Sequence, residues 1–493
     1  MRMPLDRQSG VPLYRQIEDY LRQGIVSGSL AGETRLPATR QLAADLGVNR
    51  ITVETAYSEL EVEGLVYSRT GSGTYVLSAP ALPAIPRSDP SAPWPLWQQE
   101  IRPVDGTLRR IMPQEMLKEA ARRAPLAPAI NLAAGVSDSH LFPHEEFRKM
   151  IQAVLRRDGA AALECGEVRG YAPLRETIAH VLASQGLQTR SDNILITAGS
   201  QQGLALVAQL LLRPGDVVLV EKPSYPGALA LFRSMQLKIV DLPVDEHGLQ
   251  TDRLEKRLQQ HHPRLIYTIP NFHNPTGACL TSFRRRQLIA LADRYNVPIL
   301  EDDFVGDLRY QGRAQPALKA LDPGGRIIYA GTFSKMLMPG LRVGFLVADG
   351  PVCDSLADFK CVQDLMTSTL IQRALEAFVT VGRYQAHLRR SCRLYAKRRD
   401  AMLQAIARFL PAGVRVTPPQ GGLFLWLSLP GNLSAEALLP LAFEQGVAFT
   451  PGTVFFVDPE EGRSSLRLNF AANPPEMIEE GIRRLGRAIK RLR

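Results

Sequence analysis

Cysteine is scarce in this 493-residue chain and badly placed for shared chemistry. Cys165, Cys279, Cys353, Cys361 and Cys392 are odd in number, scattered, and never at Cys-x-x-Cys spacing. That pattern argues against a disulfide framework or a cysteine zinc site and points to free thiols in a reducing compartment. Long apolar runs are missing too: no stretch of eighteen uncharged apolar residues occurs, so no membrane span is expected. The opening Met1-Arg-Met-Pro-Leu-Asp-Arg-Gln-Ser-Gly10 lacks the apolar centre of a secretory signal. The expected location is the cytoplasm. Lysine is absent from the first 76 residues, which hold eight Arg against nine acidic residues. The net charge of +10 therefore does not come from that end.

The chain does have an ordinary globular composition, 45% hydrophobic and 22% charged. Its length suits about two to four domains. Part of the basic excess lies in the tail Arg483-Arg-Leu-Gly-Arg487-Ala-Ile-Lys490-Arg-Leu-Arg493. There Ile482, Leu485 and Ile489 recur at helical spacing, which predicts an amphipathic helix with a solvated basic face.

Three regions follow from patterning. In residues 1–77, Leu13, Ile17, Tyr20, Leu21 and Ile25 predict a helix with one buried face. A second helix is expected over Thr39–Leu46, ending at Gly47, and Asn49 caps a third that runs to about Glu63. Residues 65–69 and 73–76 read as strands around the turn Gly71-Ser-Gly73. Residues 78–110 contain Ser78-Ala-Pro-Ala-Leu-Pro-Ala-Ile-Pro86 and more proline without helical period, the composition of a semi-rigid linker.

From 111 to 493, short apolar runs alternate with helical patterns: 194–197, 217–220, 265–268, 297–300, 327–330 and 343–347. This predicts an α/β domain with a buried, mostly parallel sheet and functional residues at strand ends.

The run Arg35-Leu-Pro-Ala-Thr-Arg40-Gln-Leu-Ala43, then Gly47-Val-Asn49-Arg50-Ile-Thr52-Val53, Ala56-Tyr57 and Gly71-Ser-Gly-Thr-Tyr-Val76 resembles the GntR family's winged helix-turn-helix. The resemblance implies double-stranded operator DNA as partner. It marks Arg40, Asn49, Arg50 and Thr52 as base or phosphate contacts and Thr70 with Gly71 as the wing tip. Arginine is the commonest partner of guanine edges. Glu54 stands where some members carry a basic residue, so base preference does not transfer.

The larger region resembles fold-type I aminotransferases, with several motifs in family order. Thr332, Lys335 and Arg342 lie in Gly331-Thr-Phe-Ser-Lys335-Met-Leu-Met-Pro-Gly-Leu-Arg342. By resemblance Lys335 attaches pyridoxal 5'-phosphate covalently, which requires a deprotonated amine. Ser200 and Gln201, opening a helix after Ala198-Gly199, would cradle the phosphate with Thr332 and Arg342. Tyr225 would stack on the ring, Asn274 would bond its phenolic oxygen, and Asp302 would pair with its nitrogen. The family usually has a tyrosine close after that aspartate, where this chain has Phe304. Arg467, in Ser464-Ser-Leu-Arg467-Leu-Asn-Phe470, matches the family's anchor for a substrate α-carboxylate, with Gly135 opposite.

Both modules and the linker together resemble the MocR/GabR group of bacterial regulators. The resemblance implies a homodimer that senses pyridoxal phosphate, an amine or an amino acid and adjusts DNA binding accordingly. Two alternatives remain open: a working aminotransferase with an accessory DNA module, and a DNA-binding protein with a degenerate cofactor pocket.

Overall fold

A computed structural model describes residues 3–69, 71–78, 94, 98, 106–125, 129–322, 324–333, 335–431 and 433–492. The chain divides into two compact units, 1–101 and 102–493. The first holds helices Leu13–Val26, Thr39–Leu46 and Arg50–Val62 and the antiparallel hairpin Val66–Arg69 with Gly73–Val76. Ile17, Leu21, Leu42, Val53, Leu60, Val66 and Val76 form its core. Gly47 takes φ 62°, a left-handed helix end that suits glycine best, so the chain turns sharply into the third helix. Thr70 lies outside the described residues.

The second unit is built on an eight-stranded sheet. Its spatial order is Ile194–Thr197, Gly344–Val347, Ile327–Thr332, Ile299–Asp303, Leu265–Thr268, Val217–Lys222, Lys238–Asp245, Gly248–Leu249. Gly344–Val347 runs antiparallel to both its neighbours, and Gly248–Leu249 antiparallel to its own; the other described pairings are parallel. One expected strand is shifted: instead of 297–300 it spans Ile299–Asp303. Pro298 has no N–H to give the ladder, and Glu301 can continue the strand because its buried carboxylate accepts from the Leu318 and Lys319 amides at 2.8 and 2.9 Å.

The C-terminal part adds a four-stranded antiparallel sheet, Arg415–Val416, Phe424–Ser428, Ser465–Asn469 and Thr450–Pro451. Its register sets Arg467 between Trp426 and Thr450. The last helix, Pro475–Leu492, buries Ile478, Ile482, Leu485 and Ile489, each worth about 1.5–3 kcal/mol. Arg483 and Arg484 on the same helix pair with Glu480, so part of its basic face is neutralised within the helix.

The expected linker is corrected at its end. Thr107–Arg110 forms one helical turn inside the second unit, and Pro113–Arg123 follows as a helix anchored by Met116 and Ala120 against Phe443 and Ala448. Among the described residues no helix is long and apolar enough to cross a membrane.

Candidate functional site

Strands that end together bring distant residues together. One pocket of the second unit is lined by Gly135, Ser200, Tyr225, Asn274, Asp302, Lys335 and Arg467, drawn from seven separate segments. The Lys335 ammonium donates to the Gly135 carbonyl at 2.7 Å. Burial and the cations Arg467 and Arg342 push Lys335 down to about 8, against the opposing pull of Asp302. Burial pushes Asp302 up to about 7, while a hydrogen bond donated by the Tyr267 phenol to Oδ2 at 2.8 Å works the other way. Its other oxygen, Oδ1, is buried without a partner. A buried carboxylate oxygen left unpaired costs free energy and calls for a donor.

Gln201, Thr332 and Arg342 flank this pocket. Register puts Gly344 between Thr197 and Thr332, so the start of the helix Ser200–Leu211 meets the Thr332 strand end. Arg342, at φ 50°, lies over Gly199 and donates to the Ala198 carbonyl at 3.1 Å. A Cβ on Gly344 would come within 2.7 Å of the Gly199–Ser200 peptide. The two backbones thus approach as closely as glycine permits. The Gln201 side chain is spent locally, accepting from the Tyr225 phenol at 3.2 Å and donating to the Gly227 carbonyl at 3.1 Å. Its backbone amide, at the helix N-terminus, is the part of Gln201 suited to an anion.

Arg467 donates to Asn274 Oδ1 at 2.9 Å, the Ala133 carbonyl at 3.2 Å and Thr450 Oγ1 at 3.4 Å, and its Nε is buried without a partner. Its guanidinium lies 4.1 Å from the Phe424 ring centre and 5.0 Å from that of Phe455. Phe304 lines the same pocket and stacks on Phe424, with centroids 6.2 Å apart and planes at 19°.

In the first unit the third helix begins with exposed Asn49, Arg50 and Ile51. Asn49 acts as its N-cap, accepting from the Ile51 amide at 3.0 Å, so its oxygen is already engaged. Arg50 pairs with Glu54 one turn on, Nε to Oε1 at 2.6 Å. Thr52 is half-buried, and Arg40 and Gly71 are exposed.

The aminotransferase class I and II family model matches residues 127–485, and that of bacterial regulatory proteins, gntR family, matches residues 13–76. The uncharacterized HTH-type transcriptional regulator YisV of Bacillus subtilis is 33% identical, over 99% of this chain and 98% of its own. The probable rhizopine catabolism regulatory protein MocR of Rhizobium meliloti is 32% identical over 98% and 95%. Both likenesses cover both regions. The chain belongs to the MocR-type helix-turn-helix transcriptional regulators. The regulator is also similar to the crystal structure of Pyrococcus horikoshii kynurenine aminotransferase in complex with PMP. That likeness has 34% identity and a TM-score of 0.73, over 81% of this chain and 97% of that one.

Pyridoxal 5'-phosphate is the cofactor of this fold. The regulator's pocket suits it. Asp302 Oδ1 lacks a donor that a pyridinium N–H would supply, and Lys335 is desolvated toward the neutral amine that an aldehyde requires. Sequence reasoning missed Tyr267, which holds Asp302, and Phe455, which faces Arg467. A tyrosine inside the apolar run Leu265–Thr268 was the available signal, because a buried phenol needs a partner.

Proposed function

We propose that this regulator binds operator DNA as a homodimer in the cytoplasm, and that an amino compound entering the Lys335 pocket changes its DNA affinity. The observation that carries the reading is Arg467. It is a buried cation with an unpartnered Nε, sharing one pocket with Lys335. A guanidinium keeps its charge even where burial works against it, so the pocket offers a fixed seat for a carboxylate.

When bound, pyridoxal phosphate supplies an aldehyde that exchanges one amine for another. Ser200, the Gln201 amide, Thr332 and Arg342 would hold its phosphate. Tyr225 would cover its ring, Asn274 would donate to its phenolic oxygen, and Asp302 would hold a proton on its nitrogen. Lys335 would carry it, and Gly135 leaves room beside Arg467 for the ligand. In the first unit, Arg40, Arg50 and Thr52, and the wing with Thr70 and Gly71, would meet the DNA, with Asn49 setting the helix start. A ligand shifts DNA affinity only through different affinities for two states of the protein, and replacement of the Lys335 amine by that of the ligand is the proposed source of the difference.

An electrophoretic shift assay on the chain's own upstream region tests the reading. It compares cofactor-free protein, protein with pyridoxal phosphate, and protein with cofactor plus amino acids. Equal DNA affinity in all three would defeat it. The intact set Lys335, Asp302 and Arg467 also favours a second reading, a working aminotransferase. Multiple-turnover transfer of an amino group to a keto acid, with no DNA footprint, would establish that one instead.

A further inference from the structure

The pocket that holds Lys335 and Arg467 also states what kind of side chain its ligand carries. Among the described lining residues the charged ones are Asp302, Lys335 and Arg467. On the reading above, the first two serve the cofactor and the third takes a carboxylate. The rest of the wall includes Leu108, Ile111, Met112, Val136, Phe304 and Phe424, whose side chains are all apolar. A second charge on the ligand would be desolvated there without a partner, at a cost that an apolar group does not incur.

Leu108, Ile111 and Met112 come from a single short segment. Leu108 sits on the one-turn helix Thr107–Arg110, Leu108 and Ile111 are half-buried, and Met112 is 46% exposed. One helical turn has little stability of its own and depends on what it packs against. On one side the segment packs against the helix Pro226–Ser234, and on the other it runs into the anchored helix Pro113–Arg123. Its pocket-facing side chains are therefore apolar surface that a ligand side chain would cover.

We infer that the effector is an α-amino acid with an apolar side chain, seated on Arg467 by its carboxylate and against Leu108, Ile111 and Met112 by its side chain. This rests on the sensing function proposed above and specifies its ligand class.

The test titrates full-length protein loaded with pyridoxal phosphate with L-leucine, L-phenylalanine, L-glutamate and L-lysine. Two signals are read: the visible absorption of the bound cofactor and the mobility of the upstream DNA. Leucine and phenylalanine should half-saturate both at concentrations at least about tenfold below glutamate and lysine, as burial of one leucine-sized side chain allows. The double variant L108A/M112A should raise the leucine requirement about tenfold and leave that for glutamate unchanged, with cofactor absorption before ligand addition confirming an intact site. Met112→Lys should improve glutamate relative to leucine. If glutamate or lysine acts at lower concentration than leucine, or L108A/M112A leaves leucine unchanged, the ligand class is wrong while sensing survives. If none of the four alters either signal, this inference falls, and the comparison of cofactor-free protein with protein carrying pyridoxal phosphate decides whether sensing survives.

Discussion

Raising the pH should accelerate capture of pyridoxal phosphate by cofactor-free protein along a curve set by Lys335. Burial, Arg467 and Arg342 bring this lysine from 10.5 to about 8. At pH 7.5 an ordinary lysine side chain is about 0.1% neutral amine, whereas one titrating near 8 is about a quarter neutral. Only the neutral amine attacks an aldehyde, so the reactive fraction is larger by about 200-fold. The assay mixes cofactor with cofactor-free protein between pH 6.5 and 9.5 and follows the visible band of the attached cofactor. A lysine peptide serves as reference for the cofactor's own titration. After that correction the rate should climb to a midpoint near pH 8 and flatten above it. Arg467→Gln removes one of the cations that hold Lys335 down, so the midpoint should move upward. A corrected rate that keeps rising tenfold per pH unit through pH 9.5 would show that Lys335 is not desolvated, and the reasoning about this pocket would be refuted.

Glu54→Gln should raise affinity for operator DNA several-fold at low salt. It frees Arg50 from a pair worth only about 0.3–0.5 kcal/mol and deletes a negative charge on the third helix of the first unit, so equal affinities by fluorescence anisotropy would count against that helix facing DNA. Gly344→Ala should cost about 1–3 kcal/mol and weaken cofactor binding at least tenfold, because its Cβ meets the Gly199–Ser200 backbone at 2.7 Å; a cofactor titration with wild-type affinity would remove that peptide from the site. Cofactor-free protein should lose stability between about pH 4 and 7. Asp302 and Glu301, raised to about 7, and Asp307, raised to about 6, hold protons when folded that the unfolded chain has released, so their contribution is present below pH 4 and lost as pH rises through 6 to 7. Asp302→Asn should flatten part of that slope in denaturant melts at pH 5 and pH 8, and an unchanged slope would assign it to the other two.

Strands were legible where burial on both faces made them continuous apolar runs, as in Ile194–Thr197 and Leu265–Thr268. Lys238–Asp245 was not, because Lys238, Asp241 and Pro243 interrupt its pattern. It lies next to the sheet edge, flanked on its outer side only by the two residues Gly248–Leu249, where polar residues and proline are tolerated. The roles of Lys335, Asp302 and Arg467 could be proposed from local motifs, since each sits in a distinctive run. The partners of Tyr267, Phe455 and Leu108 were hidden for the opposite reason. Each matters through a partner at least 12 residues away in sequence, Asp302, Arg467 and the pocket respectively, and nothing in its own neighbours names that partner.

Phe304 gains its meaning from the same long-range packing. A tyrosine there would bring a hydroxyl into a pocket where the nearby phenol of Tyr267 is already committed to Asp302 and that of Tyr225 to Gln201. Phenylalanine instead completes a column in which Phe304 stacks on Phe424 and Phe424 lies under the Arg467 guanidinium. Stacking and cation–π contacts of this kind contribute about 0.5–2 kcal/mol each when desolvated, and they fix the plane of the guanidinium as well as its position. A transaminase needs its cofactor tuned for repeated turnover, and the phenolic oxygen's second partner is one means of tuning it. A sensor needs a rigid carboxylate seat and one exchange of amines. The Phe304 column orients the Arg467 guanidinium and brings no hydroxyl of its own into the pocket.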